Sequence, residues 1–369
     1  MFRLCAIRRG SSDRLPSRSL ALLVAVLPLM MLITSVIKNK AGEMAFLCHL
    51  PCNSWTKIMI FICTCSQDGA TDFLSPHLAG VEVFRFNIDK REDYIWDFSR
   101  CGFEIKDVIS DNVITSGNIS SFYLRKPLYI NAIDVPKEGC LENWCREEVD
   151  ALFEDFYLEC ASRGLTILVH GRSTKYGKCR QLLVAEKYFN VANWHFLKGF
   201  LPDGLKTGKW VAKSFSGSCI GKDKVFFVKE VDPTKLDLSY PWFLQEKIEG
   251  EDEVTVVYVN GQLFAYRYPR SAIGSSEDVR KATLENASPW EPCALSQSEQ
   301  NSILDFMAET GYRFGRFDFI RKDGELWFLE LNPNGQWAWL DEDNSDGLIS
   351  AIAKAIVEED ELHHRLRRA

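Results

Sequence analysis

Residues 315–337 read GRFDFIRKDGELWFLELNPNGQW, a pattern that predicts two alternating strands joined by a turn. Three side chains with oxygen atoms, Asp318, Glu330 and Asn332, lie here among aromatic and aliphatic residues typical of a core. Side chains two residues apart in a strand point to the same face, so Glu330 and Asn332 share a face. The position of Asp318 relative to them depends on the turn.

Two turns are compatible with this stretch. A two-residue loop, Asp323-Gly324, would pair position 318 with position 329 and would turn Asp318 to the opposite face. A three-residue loop, 322–324, with its glycine in the left-handed conformation would pair position 318 with position 328 and bring the three polar side chains together. We predict the three-residue loop.

Two carboxylates and an amide oxygen on one face are hard ligands that suit Mg²⁺, which keeps several waters and shares its shell with nucleotide phosphates. The alternative is a solvated sheet face on which the acids lie by chance. Pro333-Asn334-Gly335 directly follows and ends the strand, which indicates a close approach of the backbone to a ligand.

The composition is that of a globular protein with a large core. The chain has 369 residues, of which 46% are hydrophobic and 12% aromatic, enough for two or three domains. Lys and Arg number 44 and Asp and Glu 51, which gives a net charge of −7. Residues 1–40 hold seven basic residues and one acid, so the remainder carries −13. An acidic body argues against nucleic acid as a partner, because phosphate binding needs a basic face.

Residues 20–37 form an uncharged run of 18 residues with basic residues on both sides. This length is just enough to span a bilayer, and the basic flank also fits an export signal. A third interpretation is that residues 1–55 are a non-native extension, because Met44 and Met59 lie just before or within the first predicted strand. The three interpretations stay open, and a membrane is an expected partner only if the run is a true anchor.

Twelve cysteines are scattered along the chain without the paired spacing of a zinc site. We interpret them as mostly buried, reduced thiols of a cytosolic protein. Cys63 and Cys65 share one face of a predicted strand, which favours core packing for both.

Strands and helices are predicted along the whole chain after residue 56. Residues 57–64 form a continuous apolar run typical of a buried strand, and two alternating runs follow at 81–86 and 121–124. Strands dominate from residue 209 to residue 269. Helices are predicted at 142–163, 178–189, 297–310 and 347–359.

The stretches LWFLELNPNGQW and RFDFI resemble the metal-binding end of the ATP-grasp ligases, most of all the graspetide (microviridin-type) ligases that mature ribosomal peptides. The resemblance runs over residues 57 to about 357. It implies an α/β (α+β) chain with the ATP-grasp fold, preceded by an N-terminal α/β pre-ATP-grasp domain. The domains expected after the leader at 1–55 are an N-terminal α/β domain at 56–135, a linker helix with the central ATP-grasp subdomain at 136–245, and the C-terminal subdomain with the metal site at 246–369.

The resemblance also implies a nucleotide site. Lys178, before a Gln-Leu helix, and Lys213, in WVAKSFSG, are similar to the two lysines that contact the phosphates. A solvated loop lysine is the alternative for Lys178, whereas Lys213 has apolar neighbours, and its buried charge would need an anion. Gln245, Glu246, Lys247 and Ile248 are similar to the family's hinge, which binds adenine through its backbone. A plain strand end is the alternative for these four residues. Asp318, Glu330 and Asn332 match the magnesium ligands.

One departure from the family concerns an arginine. The family commonly has an arginine after the hinge, where this chain has Glu251-Asp252-Glu253. By analogy with related ligases, Arg280 is the predicted catalytic arginine and Lys213 the predicted catalytic lysine. Arg267 is a second candidate for the arginine, and either arginine could instead be a surface residue. Arg125 and Lys126 resemble a Tyr-Arg-Arg segment with a structural role or a place at the substrate cleft.

The function implied by the resemblance is an ATP-dependent ligase that forms C–N or C–O bonds. It would activate a carboxylate as an acyl-phosphate with ATP and Mg²⁺, or Mn²⁺, and join it to an amine or a hydroxyl of a precursor peptide. An ATP-grasp ligase that adds an amino acid to a protein tail or a small metabolite is one alternative, and a non-catalytic ATP-binding module is another. Use of ATP favours the cytoplasm, and a homodimer is an option because similar ligases commonly dimerise.

Overall fold

The computed structural model describes most of the chain after residue 57, in the ranges 58–90, 93–100, 102–125, 166–167, 176–215, 228–272 and 290–357, with several helical positions between 144 and 159. All of these residues belong to one unit, Lys57–Ala369. The apolar run at 20–37, Lys126 and Arg280 lie outside the described residues. None of the helices in the described ranges is long and apolar enough to cross a membrane.

The described residues form strands and helices that we number in chain order. The strands are β1 (Met59–Thr64), β2 (Val83–Asn87), β3 (Tyr94–Ser99), β4 (Gly102–Asp107), β5 (Val113–Thr115), β6 (Ile119–Leu124), β7 (Thr166–Ile167), β8 (Asn190–Val191), β9 (Trp194–Leu197), β10 (Trp210–Lys213), β11 (Lys229–Val231), β12 (Trp242–Glu246), β13 (Asp252–Val259), β14 (Gln262–Pro269), β15 (Glu291–Pro292), β16 (Phe314–Lys322) and β17 (Glu325–Asn332). The helices are α1 (Gly69–Leu74), α2 (Lys178–Ala185) and α3 (Gln297–Thr310), and residues 348–357 are also helical.

The first sheet is parallel and has the strand order β2-β1-β6-β7. Every residue of β1 and β6 is buried, which explains the continuous apolar run in the sequence of β1. One face packs on the antiparallel sheet β3-β4-β5 through a cluster that includes Phe61, Phe103 and Phe156. The predicted buried strand at 57–64 is confirmed, and Cys63 and Cys65 are both buried.

The second sheet is antiparallel and has the strand order β11-β10-β12-β9. One face forms a small core with Leu205, and Leu244 lies on that face. Lys213 pairs with Phe243, the residue before Leu244, so Lys213 lies on the other face. Because Phe243 belongs to the core cluster of the six-stranded sheet, the face that carries Lys213 is turned toward that sheet.

The six-stranded sheet has the order β15-β14-β13-β16-β17-β8. Helices α2 and α3 cover one of its faces, where Phe306 of α3 packs on Phe317, Phe319 and Phe328. Asp318 lies between two of these phenylalanines in the strand and therefore points to the opposite face. These phenylalanines of the hairpin thus form the core under the helices, and Asp318 lies on the face that looks away from them.

Helix α3 has the bounds that its sequence predicts. Ser296 and Glu299 form a capping box, in which the Ser296 hydroxyl accepts from the Glu299 N–H and the Glu299 carboxylate accepts from the Ser296 N–H. Gly311 ends the helix in the left-handed conformation at φ 71°. Both ends are therefore fixed by local residue types.

The predicted three-residue turn of the β16–β17 hairpin is wrong. Lys322 pairs with Glu325, so the loop is the two-residue Asp323-Gly324 turn, with φ values of 52° and 80°. Asp-Gly suits this turn because both residues tolerate positive φ. The longer loop would have shifted the strand register by one residue. That one-residue change comes instead from a β-bulge between Asp318 and Phe319, which gives β17 one extra residue, Leu329.

Candidate active site

The bulge brings the polar side chains of the hairpin onto one face. Asp318 pairs with Glu330 and Arg316 pairs with Asn332, and directly paired residues in antiparallel strands point the same way. The Asn332 side-chain amide donates to Asp318 Oδ2 and to Glu330 Oε1, each over 3.0 Å. Thr255 of β13 donates to Asp318 Oδ1 over 3.2 Å. The grouping of Asp318, Glu330 and Asn332 is therefore as predicted, although the turn is not.

Lys178 connects this face to the second sheet. It is the first residue of α2, and its Nζ lies 3.1 Å from Glu330 Oε2. The same Nζ donates over 2.8 Å to the backbone oxygen of Ser214, which follows β10. Gln181, one turn later in α2, accepts from the Leu331 N–H over 3.1 Å and fixes the helix against β17. The start of α2 thus lies between the two sheets.

Lys213 lies at the end of β10, on the face toward the hairpin. Its Nζ donates to the neutral side-chain oxygen of Gln245 over 2.6 Å. Burial lowers the pKa of Lys213 to about 8, although the nearby charge of Glu330 acts in the opposite direction. An anion beside this ammonium group would favour its charged form and raise the pKa again.

The two carboxyl groups of the site differ in their electrostatics. Burial raises the pKa of Asp318, and the charge of Glu330 adds to this effect while Arg316 opposes it. Burial also acts to raise the pKa of Glu330, but the charge of Lys178 and the hydrogen bond from Asn332 outweigh it, so the pKa is lowered. A cation bound between the two groups would lower the pKa of both.

The donor set of this face fits a hard divalent cation. Among the described residues no group of three or more His, Cys, Asp or Glu side chains could hold a metal ion, so the candidate site depends on the mixed set Asp318, Glu330 and Asn332. The Asn332 amide nitrogen now bridges the two carboxylates. Rotation of the amide by 180° would exchange its nitrogen for its oxygen and complete an all-oxygen set.

Further along the hairpin the same face becomes apolar. Ile320 and Leu329 form a cluster with Ala192 and with Ile248, the last of the predicted hinge residues. Trp327 packs against this cluster, and Lys322 Nζ lies 5.1 Å from the centre of its ring. The bulge therefore also places Leu329 in an apolar surface that suits a planar base.

The other predicted hinge residues differ in their surroundings. Gln245 is buried and receives the hydrogen bond from Lys213. Glu246 accepts from the Asn193 side chain over 2.7 Å, and Lys247 pairs with Glu230. Ile248 makes no backbone hydrogen bond to another described residue, so its peptide groups are available to a ligand.

Sequence reasoning missed an arginine that, in the described part of the chain, contacts an acidic residue of this site. Arg280 lies outside the described residues, and Arg267 is half-exposed and pairs with Glu291 over 3.2 Å. Arg316 instead donates to Asp318 Oδ2 over 3.0 Å. It precedes Asp318 by two residues, so strand alternation alone would have placed it on the same face.

The predicted close approach of the backbone after β17 is toward Arg316 and Asn332. A Cβ atom at Gly335 would lie 2.6 Å from Arg316 Cβ and 3.2 Å from Asn332 Cβ. The Gln336 backbone oxygen accepts from Arg316 over 3.0 Å. The glycine therefore lets the chain turn tightly against two residues of the site.

No protein-family model matches the chain, and no curated protein sequence matches it. Solved structures do match. A ligase from Chryseobacterium gregarium, described as a RiPP-associated ATP-grasp ligase in complex with ADP and a leader and core peptide, is 22% identical over 82% of this chain and 97% of its own, with a TM-score of 0.68. The macrocyclase MdnC from Microcystis aeruginosa, bound with precursor peptide MdnA, is 22% identical over 82% of this chain and all of its own, also with a TM-score of 0.68.

The ATP-grasp ligase PsnB, complexed with a minimal precursor, Mg and ADP, is 17% identical over 82% of this chain and 98% of its own, with a TM-score of 0.59. These identities are low, whereas the matched regions cover nearly the whole of each neighbour. The likeness is therefore one of fold, and the chain has the ATP-grasp fold expected from the sequence.

Proposed function

We propose that this protein is an ATP-dependent ligase that activates a carboxylate of a ribosomally made precursor peptide and joins it to a hydroxyl or an amine. One observation supports this proposal above all. Lys178 and Lys213 come from separate elements and converge on the face that holds Asp318, Glu330 and Asn332. Two cations and a cluster of hard oxygen ligands in one place suit a polyphosphate with its metal ion.

ATP would lie along the hairpin face with its base at the apolar end. Ile248, Ile320 and Leu329 would contact the adenine ring, and the peptide groups of Ile248 would bind its edge. The phosphates would then extend toward Lys178 and Lys213. The phosphates would stabilise the charge of Lys213 most, because its desolvated ammonium group has no hydrogen bond to a carboxylate among the described residues.

Asp318, Glu330 and Asn332 would hold Mg²⁺ or Mn²⁺. When bound, the ion would supply positive charge that neutralises the phosphate oxygens during transfer. Thr255 and Arg316 fix the two oxygens of Asp318, and Lys178 fixes one oxygen of Glu330. These contacts orient the carboxylates before any ligand arrives.

The reaction would have two steps. In the first, a substrate carboxylate oxygen attacks the γ-phosphorus of ATP, the bond to the bridging oxygen breaks, and ADP leaves. In the second, a hydroxyl or an amine attacks the acyl carbon, phosphate leaves, and the attacking group loses a proton. Lys178, Lys213 and Arg316 would counter the negative charge that develops, so no side-chain nucleophile is needed.

A precursor peptide is the substrate class that the comparisons favour. The Chryseobacterium gregarium ligase contains a leader and core peptide, and MdnC contains a precursor peptide. The alignment extends over 97% of the first neighbour and all of the second, and this coverage supports the same substrate class here. The proposed location is the cytoplasm, where ATP is available, and a homodimer stays a prediction.

The test is co-expression of the full chain with each short peptide encoded beside its gene, followed by intact-mass measurement of the peptide. The parent protein should remove the mass of one water for each bond formed. Glu330→Gln should leave the peptide unchanged, because it removes a charge from the metal ligands. Glu309→Gln is the matched control, since Glu309 lies at the surface and pairs with Lys187, and it should behave like the parent.

An unchanged mass for every peptide would contradict peptide crosslinking. Release of ADP on addition of free amino acids would then indicate a ligase that adds an amino acid. Absence of that release as well would favour a non-catalytic ATP-binding module.

A further inference from the structure

Arg125 is a fully buried cation at the carboxyl end of β6, in the parallel sheet. Its guanidinium group reaches the loop that follows β17, which is about 209 residues away in sequence. One nitrogen donates to Asn334 O over 3.0 Å, to Asn334 Oδ1 over 2.7 Å and to Gly335 O over 3.0 Å. The other terminal nitrogen donates to the side-chain oxygen of Gln336.

The charge of Arg125 is poorly compensated. Among the described residues its ion-pair partner is Asp68, whose Oδ1 lies 3.8 Å from Nε, and Nε has no hydrogen-bond partner there. The other oxygen of Asp68 accepts from the hydroxyls of Thr64 and Thr71. Burial accordingly lowers the pKa of Arg125. A buried cation is weak evidence for a gain in stability, whereas the four hydrogen bonds of Arg125 to residues 334–336 hold that loop in place.

The loop held by Arg125 touches Asn332 of the candidate metal site and Arg316, which contacts Asp318. Gln336 O accepts from Arg316, which in turn donates to Asp318. Gly335 N–H donates to Asn332 O over 3.0 Å, and its backbone lies against the side chains of both Arg316 and Asn332. A continuous series of contacts therefore runs from Arg125 through this loop to Asn332 and Asp318.

We infer that Arg125 is a positioning residue for the metal site, with its planar fork fixing residues 334–336 so that Asn332 and Asp318 keep their binding geometry. This inference rests on the proposed function, which supplies the metal and the nucleotide. A guanidinium group suits the task because it donates several hydrogen bonds in one plane, whereas an ammonium group has no fixed fork. Groups that orient metal ligands without touching the metal commonly change its affinity by about 10- to 100-fold.

The test measures Mn²⁺ binding to the full chain in the presence of saturating ADP, from the electron paramagnetic resonance signal of free Mn²⁺. Arg125→Lys keeps the charge and removes the fork. Gln336→Ala removes one acceptor of the fork but keeps the backbone oxygen that binds Arg316, and it changes a residue that is only partly buried. Arg321→Gln is the matched control, because it breaks the Arg321–Glu299 pair at the other end of β16.

We expect Arg125→Lys and Gln336→Ala to weaken Mn²⁺ binding by about tenfold. Arg321→Gln should leave Mn²⁺ affinity unchanged, even if it lowers the melting temperature as much as Arg125→Lys or Gln336→Ala does. Equal Mn²⁺ affinity of both folded variants and the parent would overturn the inference while leaving the proposed function intact. A parent protein that takes up no Mn²⁺ with ADP would overturn both.

Discussion

Lys213 combines a partly buried, desolvated ammonium group with a neutral hydrogen-bond partner, Gln245, and this is an unfavourable arrangement for the protein alone. Lys178 differs, because its Nζ lies 3.1 Å from a carboxylate oxygen of Glu330. The two predicted phosphate lysines are therefore in different states before a ligand binds. Lys178 is already paired, and Lys213 is placed where an anion would stabilise it.

Replacement of Lys213 should separate stability from activity. Lys213→Met keeps the length and apolar stem of the side chain and removes the buried charge. We expect the melting temperature without nucleotide to stay the same or rise, while ATP-dependent turnover falls by about 100-fold or more. Thermal unfolding and ADP release measure the two effects.

Lys187→Met is the control for this change, because Lys187 is exposed and pairs with Glu309 at the surface. Its removal should alter neither quantity appreciably. A large fall in the melting temperature of Lys213→Met would contradict the view that desolvation of the Lys213 charge outweighs its favourable interactions in the protein alone.

At the scale of elements, the positions of helix α3 and the hairpin strands could be predicted from neighbouring residues, whereas strand register and long-range contacts could not. Helix α3 was predicted at its observed bounds, and the structure shows that Ser296, Glu299 and Gly311 fix both ends locally. The hairpin strands were predicted too, but their register was not, because the bulge at Leu329 carries no residue-type signature. The link from Arg125 to the loop after β17 could not be predicted either, since its partners lie about 209 residues away.

The turn of the hairpin provides a test of its conformation. Gly324 has a φ of 80°, which an alanine reaches only with strain, so Gly324→Ala should lower the free energy of unfolding by about 1 to 2 kcal/mol. Gly204→Ala is the matched control, because φ there is not positive and a Cβ atom would meet nothing within 4 Å. It should be neutral or slightly stabilising. Urea unfolding measures both, and equal stability of the two variants would contradict the two-residue turn.

For the whole molecule, the position of the candidate site between two sheets means that the proposed nucleotide would link them. Lys178 already touches both, through Ser214 after β10 and Glu330 in β17. The base would lie between Ile248, after β12, and the hairpin residues Ile320 and Leu329. A ligand held from both sides should suppress local opening of both sheets together, because opening either one would break contacts with it.

Hydrogen exchange should therefore slow in both sheets when ADP and Mg²⁺ are added, in β10 and β12 on one side and in β16 and β17 on the other. The sheet β3-β4-β5 is an internal control, since it packs on the parallel sheet away from these strands and should keep its exchange rates. Glu330→Gln should reduce the protection, because it removes charge that the metal ion needs. Protection confined to one of the two sheets would mean that the nucleotide binds elsewhere than between them.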